Sequence, residues 1–235
     1  MKLTILQSLK DPLFRRRVWM TVAGVTIAGL SVGLFTFSGL GMDPFQVFAH
    51  GIWRHIPLTY GTVYMILNAL LLVVDLLLDR RLIGLGTILN LFLVGYVADF
   101  STWLVNRLMP SNALPLRAAA LAAALVIMCL ASSLYFTADL GVSTYDAIAI
   151  SLNRRREKST SSFFRHWRFA TIRIASDVIC VIVGSLLCFL FDHSLDTTGA
   201  LLTTAGIGTI LTAFFMGPLI SFFNKKVAEP LLKKK

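Results

Sequence analysis

Charge is what this chain has least of. Only 14% of its 235 residues are Asp, Glu, Lys or Arg, and just 12 are acidic. Soluble domains carry roughly 25% charged residues, so a water-facing globule is excluded. Cysteine is scarce too: Cys129, Cys180 and Cys188 sit inside apolar runs with no CxxC spacing, which leaves no thiol redox pair and no zinc-binding pattern. His50, His55, His166 and His193 show no HxxxH or HExxH spacing, so no metal site is expected. The sequence lacks a GxxxxGK[ST] phosphate loop, a nucleophile elbow and a paired-carboxylate pattern. No catalytic residue and no cofactor are expected; the chain does not read as an enzyme.

Apolar residues fill the deficit. They make up 56% of the chain, and mean hydropathy is +0.76. A helix needs about 20 such residues to cross a bilayer. Six runs qualify: Val18 to Phe37, Thr59 to Leu78, Leu82 to Val105, Ala118 to Ala138, Ile174 to Phe191, and Thr197 to Asn224. The net charge of +10 would suit nucleic acid if it formed a patch, but it is spread along the chain in blocks. With the N-terminus in the cytoplasm, 19 of the 22 Lys and Arg fall on the cytoplasmic side, leaving only Arg54, Arg107 and Arg117 outside. That is the positive-inside pattern. It predicts a multi-pass membrane protein with both termini cytoplasmic, in contact with lipid and not with nucleic acid. The arginine-rich loop from Arg154 to Lys158 could meet lipid head groups or dock a cytoplasmic partner.

The chain also repeats itself. SGLGMDPFQV (Ser38 to Val47) returns as ADLGVSTYDA (Ala138 to Ala147) at an offset of 100. That offset pairs Gly41 with Gly141, Phe45 with Tyr145, Phe48 with Ile148 and Ile52 with Leu152. An offset of 109 pairs Asn68 with Asp177, and one of 113 pairs Gly86 with Gly199 and Gly95 with Gly208. The expected fold is an all-α membrane protein occupying residues 1–235 as a single domain. Its six transmembrane helices form two inverted three-helix repeats, about 15–108 and 115–224, because an odd number of crossings turns the second copy over. Each copy carries a short helix after its first span, with apolar residues at i, i+3, i+4 and i+7. Asp43-Pro44 and Ser143-Thr144 mark its start in the two copies. These short helices are either re-entrant, aiming their N-termini at a central cavity, or interfacial.

The GLGxDPF turn, the GTILN stretch and the terminal GIGTILTAFFMGPLISFF resemble the YczE/YyaS/YitT-like family of bacterial integral membrane proteins. The resemblance implies a multi-spanning inner-membrane protein of this size and transfers no catalytic residues.

Polar residues within spans are costly and mark candidate sites. Asp177 is the deepest carboxylate, with Asn68 as its repeat partner; Arg173, four residues earlier, could also pair with it locally. Asp75 and Asp99 lie nearer helix ends, and Asn90 shares a helix with Asp99. If the short helices face a cavity, Asp43, Gln46, Ser143, Thr144 and Asp146 line it beside Asn68, Asn90 and Asp177. Gly29 and Gly33 form a GxxxG face suited to bundle packing or to a homodimer. The functional expectation is a small transporter or permease for a small polar or anionic solute, bound between the repeats. The alternative is a substrate-capturing or regulatory membrane subunit acting through a cytoplasmic partner, as vitamin-uptake subunits do.

Overall fold

The computed structural model describes residues 11–109, 113–158, 169–191 and 204–233, and every regular element in them is helical. In chain order these are α1 (Pro12–Ser38), α2 (Pro44–Trp53), α3 (Tyr60–Leu78), α4 (Leu85–Leu108), α5 (Leu114–Ala138), α6 (Thr144–Lys158), α7 (Phe169–Phe191) and α8 (Ile207–Phe223). A π-helical turn, Asn224–Ala228, carries α8 on into α9 (Glu229–Lys233). Among the described residues, six helices are long and apolar enough to cross a membrane: α1, α3, α4, α5, α7 and the α8–α9 run. Their outer faces carry exposed large apolar side chains such as Trp19, Leu70, Phe92, Ile179 and Phe214, as a lipid-facing surface requires.

The last crossing is described from Ile207, the expected start at Thr197 lying outside the described residues, and its helix runs ten residues past Phe223 to Lys233. The second short helix has 15 residues and takes in the expected arginine-rich loop from Arg154 to Lys158; Arg154 donates to Asp79, just past the end of α3, and Arg155 to Leu77 O.

The centre of the bundle is the α1–α5 pair, which runs antiparallel. At one end Arg17 Nη1 donates to Ala138 O at 3.4 Å. At the other, Arg117 donates to Ser38 O at 2.6 Å and to Gly39 O at 2.8 Å. Each arginine thus satisfies carbonyls left orphaned at the end of the other helix. Gly24 lets the pair close: a Cβ there would lie 2.8 Å from Ala131 O. The GxxxG face is spent inside the bundle, against α4. A Cβ on Gly33 would overlap Ser101, whose hydroxyl donates to Leu30 O at 2.7 Å.

Around this pair, each short helix runs beside half of a long one. α6 starts level with the middle of α3, where Thr144 Oγ1 donates to Asn68 Oδ1 at 2.7 Å. It leaves at the end of α3, where Arg155 Nη2 donates to Leu77 O at 3.2 Å. α2 likewise follows the second half of α7. Val47 and Gly51 cross Gly184 at backbone contact, and His55 Nε2 lies 3.1 Å from Leu187 O.

The turns before the short helices are matched contact for contact. Gly41 and Gly141 both have φ +112°. Gly208 N donates to Leu40 O at 2.7 Å, and Gly86 N to Leu140 O at 2.8 Å. Thr209 Oγ1 accepts from Met42 N at 3.2 Å, while Thr87 Oγ1 donates to Val142 O at 2.7 Å. These contacts pair Gly86 with Gly208 and Thr87 with Thr209, so the offset of 113 is wrong for this helix. The tetrapeptide GTIL recurs at 86–89 and 208–211, and the connections of unequal length before it displaced the pairing. Gly199 lies outside the described residues.

A candidate central cavity between the short helices

The starts of α2 and α6 meet. Phe45 stacks on Tyr145 with ring centroids 5.0 Å apart, and Phe45 also meets the edge of Tyr64 at 5.6 Å. Below these rings lies a cavity of about 110 Å³, walled by α1, α3, α4, α5 and the two short helices, with contributions from α7 and α8. Six of the eight expected residues line it: Asp43, Gln46, Asn68, Asn90, Ser143 and Asp146. The other two stand one step behind. Thr144 is buried and fixes Asn68, whose Nδ2 donates in turn to Tyr64 O at 2.8 Å. Asp177 accepts from the Tyr145 hydroxyl at 2.5 Å. Asn68 and Asp177 are each the ninth residue of their helix, so the offset of 109 places them at equal depth.

Local structure positions these groups. Asp43 has extended backbone at the α2 N-cap, and its Oδ1 accepts from Gln46 N at 3.4 Å, with Pro44 at the first helical position. At the start of α6, Ser143 Oγ donates to Asp146 Oδ2 at 2.6 Å and accepts from Asp146 N at 3.1 Å. Burial pushes the Asp43 carboxyl up to about 6, the Asp177 carboxylate adding to the effect and the Gln46 N–H opposing it. Burial and the bond to Asp177 hold the Tyr145 phenol well above its usual range, so it remains a donor.

Arg173 was legible only as a topological charge or a local partner of Asp177. It does pair with Asp177, Nε to Oδ1 at 3.5 Å, but its nearer partner is Asp146 of α6, and its guanidinium sits 4.6 Å from the Tyr145 ring centroid. It lines the cavity with Tyr64, Tyr135 and Tyr145, none of which polar-residue reasoning selected. Position 45 or 145 at the head of each short helix was the available signal. Tyr64 and Arg173 share the offset of 109, so an aromatic pair in one half stands where a cation–π pair stands in the other.

Asp99 and Asp75 lie away from the cavity lining. Asp99 Oδ2 accepts from Gly61 N at 2.8 Å, capping α3 where Gly61 and Gly95 let α3 and α4 touch. Asp75 is fully buried, and neither carboxylate oxygen has a hydrogen-bond partner among the described residues. Asp75 and Ser151 each lie seven residues beyond the Asn68–Thr144 contact, so they face each other across α3 and α6. A buried acid without a partner destabilises a fold by about 1–3 kcal/mol, so Asp75→Leu should raise the unfolding midpoint in detergent. A lowered midpoint would show that a cationic group covers it. Among the described residues no three His, Cys, Asp or Glu side chains gather as metal ligands.

Residues 15–225 match DUF6198, described as a family of unknown function. The chain belongs to this family. A Haemophilus influenzae protein described as uncharacterized is 25% identical over 205 residues, 87% of this chain and 82% of that one. The Bacillus subtilis protein YyaS, also described as uncharacterized, is 24% identical over 211 residues, covering 90% and 94% of the two chains. YczE of Bacillus subtilis, described as an uncharacterized membrane protein, is 32% identical over 88 residues, covering 37% and 40%. No solved structure matches the chain. The expected kinship with YczE and YyaS thus holds, and with six apolar helices it makes this an integral membrane protein.

Proposed function

We propose that this protein is a small inner-membrane transporter for a polar solute, built from two inverted three-span halves around the central cavity. The observation that carries the reading is the meeting of two short helix starts, one from each half, at one polar cavity level with the middle of α3 and α7. α2 and α6 run along long helices rather than across their ends, which favours re-entrant over interfacial placement. The antiparallel α1–α5 pair with exchanged arginine caps is what a two-fold axis in the bilayer plane would produce. Half-helices that stop at mid-depth leave polar backbone and side chains where solute can reach them, while the flanking long helices shield them from lipid. The ends carrying Arg17, Arg80 and Arg154 then face the cytoplasm, as do both termini.

Access decides the matter. With Cys129, Cys180 and Cys188 replaced, a single cysteine at Ser132 on the cavity wall should react with an impermeant maleimide from both faces of oriented vesicles. Reaction from one face alone would make the cavity a capture site, the behaviour of a subunit that hands its solute to a cytoplasmic partner.

A further inference from the structure

The cavity wall is unbalanced in charge. Its one cation among the described residues, Arg173, is already met by Asp146 and, at 3.5 Å, by Asp177. Asp43 has no ion-pair partner among the described residues, and its capping bond to Gln46 N is long, at 3.4 Å. The sum at this depth is negative. The helix N-termini that might hold a free anion are already capped by the chain itself, α2 by the Asp43 carboxylate and α6 by the Ser143 hydroxyl, with the Asp146 carboxylate in its first turn. Beside Asp43, Gln46 is only 4% exposed, and its Oε1, an acceptor, has no partner among the described residues. The hydroxyl of Tyr135, 6% exposed, is likewise without one. Buried polar atoms rarely stay unpaired without reason. An acceptor beside an unpaired carboxylate asks for a positively charged N–H donor. The rings of Phe45, Tyr64 and Tyr145 share the rest of the wall with aliphatic side chains such as Val25, Val94 and Met128, and ring faces attract cations.

We propose that the cavity binds a small organic ammonium ion, with Asp43 as counter-ion, Gln46 Oε1 and the Tyr135 hydroxyl as hydrogen-bond partners, and the rings of Phe45, Tyr64 and Tyr145 as walls. This rests on the transport reading and names its substrate class, displacing the anionic solute that bare helix N-termini would suggest. At about 110 Å³ the space equals roughly three to four waters at about 30 Å³ each, so the ion carries only a few carbon atoms.

Three solutes of similar size and different charge test it: ethanolammonium, ethylene glycol and glycolate, titrated calorimetrically into the purified full-length protein at pH 7.5 and constant ionic strength. Saturable binding of ethanolammonium alone is expected. Asp43→Asn retains a good N-cap and should weaken binding roughly tenfold or more through loss of a charged partner. Gln46→Leu leaves Asp43 in place and should weaken it about three- to tenfold; Asp79→Asn, at the surface, should change nothing. Binding of glycolate or ethylene glycol in preference to ethanolammonium overturns the ammonium assignment and leaves the transport reading standing. Ethanolammonium binding unaltered in both cavity variants also overturns it, placing the ion elsewhere. No binding of any of the three overturns the ammonium assignment, and it takes the transport reading with it only if Ser132→Cys is also closed from one face.

Discussion

Gly141→Ala should be among the most damaging single-methyl additions in this protein, with Gly41→Ala close behind. Both glycines have φ +112°, where an L side chain is strained. A Cβ at 141 would lie 2.6 Å from Gly84 N and 2.8 Å from Gly84 Cα; one at 41 would lie 2.7 Å from Gly206 N and 2.8 Å from Thr209 N. Those neighbours are backbone atoms held by the Gly86–Leu140 and Gly208–Leu40 hydrogen bonds, so they cannot rotate away as a side chain would. Backbone strain of about 1–3 kcal/mol and overpacking of about 1–3 kcal/mol add to roughly 2–6 kcal/mol. Thermal unfolding in detergent reads this directly, with Gly217→Ala as the control. Nothing lies within 4 Å of a Cβ at Gly217, inside α8, and alanine there should be neutral or stabilising by up to about 1 kcal/mol. Equal midpoints for Gly141→Ala and the unaltered chain would mean that the turn at Gly141 does not touch the start of α4 as described.

Arg173→Met should be comparably severe. It removes the counter-charge of Asp146 and Asp177 and the cation over Tyr145 while keeping most of the side-chain volume. Breaking a buried pair costs about 3–5 kcal/mol; the Arg173 side chain is 32% exposed, so about 2–3 kcal/mol is the fitting expectation. The cycle with Asp146→Asn separates this from lost packing. The double variant should recover at least about 1 kcal/mol relative to additivity, because asparagine leaves no stranded charge at position 146. Strict additivity would show that the guanidinium acts on α6 only as bulk.

The sequence made the helices and the matched turns legible, because membrane spans announce themselves by the absence of charge and the turns by glycine and N-cap residues at constant spacing. Asp43, Gln46, Ser143 and Asp146 could be placed for the same reason: the head of a capped short helix is a local feature. What stayed hidden is what depends on partners distant in the chain. Arg173 looked like loop charge because nothing local shows that α7 brings it beside Asp146, 27 residues earlier. Asp99 looked like a polar residue in a span because the backbone amide it caps, that of Gly61, is 38 residues away. Tyr64 and Tyr135 do not stand out in the sequence, because an aromatic residue in a span carries no mark of the cavity it faces. The GTIL recurrence is a surer guide to the pairing than single glycines, which recur by chance in any membrane helix.

The exchanged caps have a mechanical consequence. Arg17 grips the far end of α5, and Arg117 grips the far end of α1. Sliding or rolling of either helix along the other would strip carbonyls at both ends at once. The two therefore serve as a stationary spine, and whatever displacement opens the interior has to be made by the outboard pairs, α2 with α7 and α3 with α6. Those pairs differ in how they are held: the first meets mainly at glycine backbone, with His55 against Leu187 O at one end, and the second is pinned by Thr144 to Asn68 and by Arg155 to the last carbonyls of α3. One gate should swing more freely than the other.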